Sequence, residues 1–195
     1  MLALAAILGV LGALLAPALA QARPPVQAQR PFEVMTFNVY LGTDLSPLFA
    51  ITDPAQLIPA AAAAYQHVVD TDFNERGEAI AEQIAEASPD VVGLQEVSLW
   101  QTAPLSDPSA VTTQYDFLAI LLDELEEQGH PYEAVSVNET FSASLPISMT
   151  TLCIWTDRNV ILVRDRQGPM VITNNAVGGK YVAALPVRSE ASLSP

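Results

Sequence analysis

Between Phe32 and Tyr40 apolar and polar side chains alternate. Val34, Thr36 and Asn38 fall on one side and Met35, Phe37 and Val39 on the other, which is the two-residue period of a strand. Leu41-Gly42-Thr43-Asp44 breaks it, and the period then lengthens to that of helices. Asp53-Pro54 makes an N-cap and first-turn pair, and the alanine-rich run beyond it carries a helix through Tyr65 to Val69. Pro59 lies inside this run and either kinks the helix or delays its start. A second helix begins near Asp72 or Asn74 and ends at Ser88-Pro89, with Ala79, Ile80, Gln83, Ile84 and Ala87 as its inner stripe. Glu75, Glu78, Glu82 and Glu86 line the other side. Their spacing imitates a metal-binding row, but like charges so placed repel and belong on a solvated face.

Pro89 then introduces Val91, Val92 and Leu94, a short buried strand that ends on Gln95-Glu96. A strand that buries most of its length has no use for an acid at its end. At the carboxyl end of a core strand, Glu96 would project into the crevice where open sheets place ligands, and a carboxylate there most simply holds a hard cation such as Mg2+. Asn38 is the second residue of interest, because amides are disfavoured inside strands. It either bonds the Leu41-Gly42-Thr43 turn or serves a site, and the second reading requires its strand to lie beside the one ending at Glu96.

Farther along, residues 98–109 read as a loop rich in Pro and Ser that carries Trp100. A helix over residues 115–128 would bury Phe117, Leu118, Leu121, Leu122 and Leu125 and stop at Gly129. Residues 132–137 alternate as a strand, residues 138–149 form a loop of Ser and Thr, and strands over 151–155 and 159–164 flank a turn at Thr156-Asp157-Arg158. Short edge strands are expected at 171–173 and 181–185. No internal repeat is present.

Composition narrows the setting. The 195 residues suit one domain, and half are apolar, enough for a sizeable core. The balance of 8 basic against 22 acidic side chains gives a net charge of −14. That field opposes electrostatic binding to nucleic acid or to an anionic membrane, yet admits a phosphate ester bridged by a divalent cation. Residues 2–20 are uncharged and end in Ala18-Leu19-Ala20, as in a secretory signal peptide, although no Lys or Arg precedes the apolar run. The implied location is secreted or periplasmic; an uncleaved membrane anchor is the alternative. Residues 21–31 form an extended linker. Cys153 has no partner for an intrachain bridge and reads as a small buried hydrophobe. His67 and His130 lack the partners of a catalytic pair, and no nucleophile turn or phosphate-cradling glycine loop is seen.

Met35-Thr36-Phe37-Asn38-Val39-Tyr40-Leu41-Gly42, then Arg76 with Ala79-Ile80-Ala81, then Pro89-Asp90-Val91-Val92-Gly93-Leu94-Gln95-Glu96-Val97, resemble the endonuclease/exonuclease/phosphatase family. Thr156-Asp157-Arg158-Asn159-Val160-Ile161-Leu162-Val163-Arg164 is similar to the strand pair found mid-domain in its bacterial secreted members. The order and spacing of these pieces, from Val34 to Arg164, carry the resemblance. It implies an α+β fold, a four-layer α/β/β/α sandwich of mixed sheets, and hydrolysis of phosphoesters with Mg2+ or Mn2+. Glu96 matches the family's metal-ligand glutamate, and Asn38 matches the asparagine beside the metal and the scissile phosphate. Both are therefore the expected catalytic and metal-site residues, while the substrate-binding residues and the substrate itself stay unidentified.

The chain also departs from the pattern. Members carry, past the segment matching Arg164, an asparagine-threonine-histidine strand end, a glycine-aspartate-x-asparagine loop and an aspartate-histidine pair that activates water. None of these stands between Asp165 and Pro195, where Asn174-Asn175 is no substitute. The resemblance thus implies the first part of such a domain, cut short. Two readings stay open: a metal-dependent phosphoesterase, and a catalytically inactive fragment or exported binding module of the same fold. A blander third reading is a membrane-anchored domain in which Glu96 only caps a loop.

Overall fold

The computed structural model describes residues 31–165. The leader at 1–20, most of the linker at 21–31 and the edge strands expected at 171–173 and 181–185 lie outside the described residues.

The described part is an α+β fold. Its elements are β1 (Val34–Asn38), a short α1 (Ser46–Phe49), α2 (Leu57–Asp70), α3 (Phe73–Ala87), β2 (Val91–Gln95), β3 (Leu99–Pro104), β4 (Thr112–Asp116), α4 (Phe117–Glu127), β5 (Tyr132–Pro146) and β6 (Thr151–Arg164). The strands form one six-stranded mixed sheet in which β6 is the spine. The first half of β6 pairs antiparallel with β3, from Pro104↔Thr151 to Leu99↔Thr156. Its second half pairs with β2, from Leu94↔Val160 to Val91↔Val163. β5 runs antiparallel along its other edge, from Tyr132↔Arg164 to Pro146↔Leu152, with two register shifts. β1 joins β2 in parallel, and β4 joins β3.

Capping residues explain the helix boundaries. The Asp53 side chain accepts from the Ala55 amide and starts a single 3-10 turn, Pro54–Gln56, that feeds α2. Pro59 falls in the first turn of α2, where its missing N–H has no intrahelical partner to lose, so the helix starts without a break. Asp72 caps α3 by accepting from the Asn74 amide, and Ser88 ends it in the left-handed conformation at φ 53°. Asp116 caps α4 by accepting from the amides of Leu118 and Ala119.

Phe73, Ile80, Ala81, Ile84, Phe117, Leu121 and Leu125 of α3 and α4 pack with Val92, Leu94, Val160 and Leu162 of the sheet in one core cluster. Phe73 and Phe117 stack face to face at 3.6 Å between ring centres. At Gly77 an added Cβ would meet Ile120 Cγ2 at 3.0 Å, so glycine lets α3 and α4 approach closely. The opposite sheet face carries Val34, Thr36, Gly93 and Ile161, and Val34 and Ile161 are exposed.

Several expectations are corrected. The buried stripe of α3 is Phe73, Gly77, Ile80, Ala81 and Ile84; Ala79, Gln83 and Ala87 are exposed, while the four glutamates do face solvent. Residues 98–109 contain β3, whose Trp100 is buried against Trp155 and Tyr65. Residues 112–116 add β4, so the following helix begins at Phe117. Residues 138–146 continue β5, and the expected turn at 156–158 is the middle of β6. Cross-strand partners make polar residues compatible with that long ribbon: Ser142 meets Thr156, and Thr140 donates to Asp157.

Candidate functional site

The parallel register sets Asn38 opposite Gln95, so Glu96 lies one residue beyond β2 at the same carboxyl edge. This meets the condition on which a functional reading of Asn38 depends. Asn38 Nδ2 donates to Glu96 Oε1 at 2.8 Å, and the Leu41 amide donates to Glu96 Oε2 at 2.9 Å. Asn38 Oδ1 accepts from the Tyr40 amide at 2.8 Å. The side chain thus serves both alternatives raised by its sequence position, closing its own turn and holding the acid.

Both chain segments leave their strands through residues in the left-handed region, Tyr40 at φ 60° and Glu96 at φ 59°. For residues with a Cβ this costs roughly 1–3 kcal/mol each and persists only where the surroundings impose it. Here the surroundings are specific. The Val39 amide extends the ladder to Gln95 O at 3.0 Å, the Val97 amide bonds Arg158 O at 2.9 Å, and the Ser98 amide bonds Glu96 O at 2.8 Å. Trp100 Nε1 donates to Leu41 O at 3.0 Å.

β6 contributes two residues that the sequence reading assigned to a turn. Arg158 is buried and donates through Nε to Val97 O at 2.8 Å and through Nη2 to Ser98 O and Asp116, anchoring the segment just past Glu96. Asp157 accepts from Thr140 through Oδ2, while its buried Oδ1 has no hydrogen-bond partner. Burial pushes the Asp157 carboxyl above the usual carboxylate range; the Thr140 hydrogen bond opposes this and the negative charge of Glu96 adds to it. No alternation in the sequence marks them, since 156–159 are all polar and 160–163 all apolar; the two-residue period shows only in the fold, where Thr156, Arg158, Val160 and Leu162 are buried and Asn159 and Ile161 are exposed.

His67 lies exposed on α2, and His130 follows the α4 stop, where its amide bonds Leu125 O. Neither is among the hydrogen-bond partners of Glu96. Beside the middle of α2, Leu45, Leu48, Tyr65, Trp100, Leu145 and Trp155 help line an apolar cavity of about 40 Å³. A space of that size and lining offers nothing to a charged phosphate.

The donor chemistry at Glu96 fits a hard cation. Each carboxylate oxygen accepts one hydrogen bond from the protein and keeps lone-pair capacity. Among the described residues no group of three His, Cys, Asp or Glu side chains comes together. Mg2+ is ordinarily held by one or two carboxylates plus water and substrate phosphate, so one well-held carboxylate suits it. The amide of Asn38 points its nitrogen at Glu96, and in this arrangement it orients the acid. Comparison of the chain with family models, with curated proteins and with solved structures finds no match.

Proposed function

We propose that the chain is a divalent-metal-dependent hydrolase of phosphoesters, of phosphodiesterase, phosphatase or nuclease type, within the endonuclease/exonuclease/phosphatase family. The observation that carries this reading is the Asn38–Glu96 hydrogen bond of 2.8 Å between residues 58 apart in sequence, at the carboxyl ends of adjacent parallel strands. Glu96 would hold Mg2+ or Mn2+, and the bound ion supplies Lewis-acid polarisation of a phosphoryl oxygen. Asn38 and the Leu41 amide fix both carboxylate oxygens, so the acid keeps one orientation as phosphate enters. Asn38 stands beside the site as the group that would orient the phosphate.

The exposed face bearing Val34 and Ile161 supports a second sheet packed there, completing a four-layer sandwich. The leader at residues 1–20 supports export to a secreted or periplasmic location, and the net charge of −14 favours a phosphoester brought in through the cation over loosely held nucleic acid.

One observation favours a second reading, a binding module or inactive fragment of the same fold. Among the described residues no histidine touches the Glu96 network, and a positioned general base contributes about 10² to 10⁴ in rate. Hydrolysis of bis(p-nitrophenyl) phosphate, measured with Mg2+ and with the metal chelated, separates the readings. Turnover that requires the metal and is lost in Glu96→Gln supports the hydrolase. Equal rates in both conditions overturn metal dependence, and Mg2+ binding without turnover selects the binding module.

A further inference from the structure

We infer that Arg76 is a positioning residue that fixes the two peptide planes from which Asn38 and Glu96 are held. Arg76 lies on α3, and its Nη1 donates to Val39 O at 2.8 Å and to Tyr40 O at 3.3 Å, while its Nε donates to Thr71 O at 2.9 Å. A peptide unit is a rigid plane that carries the carbonyl of one residue and the N–H of the next. The plane whose oxygen is Val39 O carries the Tyr40 amide, which donates to Asn38 Oδ1 at 2.8 Å. The plane whose oxygen is Tyr40 O carries the Leu41 amide, which donates to Glu96 Oε2 at 2.9 Å. Each plane is therefore bonded at its oxygen to Arg76 and at its nitrogen to a residue of the site.

Tyr40, with φ 60°, is the hinge between the two planes. Its left-handed conformation is intrinsically unfavourable, so the planes need an outside restraint, and one guanidinium nitrogen spans both carbonyls. The guanidinium is itself held in place. Its carbon lies 4.9 Å from the Phe73 ring centre, 5.6 Å from Phe117 and 5.5 Å from Tyr40. Its Nη2 is buried with no hydrogen-bond partner, a cost that burial alone would not select. A lysine supplies the charge but not the planar fork that fixes Nε on Thr71 O while Nη1 reaches the turn.

The inference rests on the proposed function for what the site binds, but its first measurement does not. Amide hydrogen exchange at Tyr40 and Leu41 is read by NMR in wild type, Arg76→Lys and Arg76→Gln, with Leu162 in the sheet interior as the internal reference. The clamp requires exchange at Leu41, relative to Leu162, to quicken by roughly tenfold in whichever variant stays folded, as expected for loss of about one or two net hydrogen bonds. A Leu41/Leu162 ratio unchanged in a folded variant overturns it. Titration with Mg2+ gives the second readout: affinity should fall in Arg76→Lys while thermal unfolding shifts by only a few degrees. Unchanged affinity alongside quickened exchange would overturn the link to the site. Absence of Mg2+ binding in wild type would instead count against the hydrolase reading and leave the exchange result to decide the clamp.

Discussion

The amide nitrogen of Asn38 donates to Oε1 of Glu96 across 2.8 Å, tying the last residue of β1 to the residue just past β2. Because the strands are parallel, both side chains emerge at one edge, and the turn after Asn38 supplies the second donor to the same carboxylate. Replacing Asn38 by Asp sets two carboxylates against each other. Without metal the melting temperature of Asn38→Asp should fall below that of wild type, and added Mg2+ should raise it more than it raises wild type. Scanning fluorimetry with and without a chelator checks this, and a variant insensitive to Mg2+ would argue against a cation at this edge.

Asn38→Ala removes the donor to Oε1 and leaves Glu96 held only through Oε2 by the Leu41 amide. A misplacement of about 1 Å near the reacting groups can cost on the order of 10²-fold in rate, and a loss of that size in metal-dependent hydrolysis is expected with the fold intact. Circular dichroism alongside the rate measurement separates the two effects.

Asp116 has two duties, as N-cap of α4 and as partner of Arg158, whose side chain is 9 % exposed against 33 % for Asp116. Asp116→Asn keeps an oxygen for the cap and loses the charge, and should cost about 1–2 kcal/mol given the partial exposure of the acid. Asp116→Ala should cost about 1 kcal/mol more, the worth of the cap. Urea unfolding of the two variants measures the difference, and equal losses would mean that the cap carries no weight.

The Cys153 thiol is pushed up to about 12 by burial. It should resist alkylation at pH 8 in the folded protein and react once urea is added. The unfolded thiol ionises near 8.5, so the folded state loses stability as pH rises from there towards 12, by up to about 1.4 kcal/mol per unit. Stability relative to Cys153→Ala should therefore decline across that window and stay constant below it, as chemical unfolding at a series of pH values would show.

What the sequence made legible followed local rules. β2 was readable because Pro89 bounds an apolar run, and α4 because Phe117, Leu121 and Leu125 keep helical spacing. In the β5–β6 ribbon the stretches at 132–137, 151–155 and 159–164 were readable, but 138–146 and 156–158 were not, since their Ser, Thr and Asp positions look like loop until the partner strand supplies their hydrogen bonds. Glu96 could be singled out from its place at a strand end, but its contact with Asn38 depends on a parallel register that neither segment encodes alone. The left-handed conformations at Tyr40 and Glu96 carry no glycine or asparagine signal, so the Arg76 clamp on the turn emerges only in three dimensions.

The central claim is that Glu96, oriented by Asn38, holds a divalent cation. Calorimetric titration of wild type and Glu96→Gln with Mg2+ under identical conditions tests it most directly. The account requires a saturable site in wild type that is abolished or weakened at least about tenfold by the substitution, as befits removal of the charged ligand. Indistinguishable isotherms for the two proteins would contradict it.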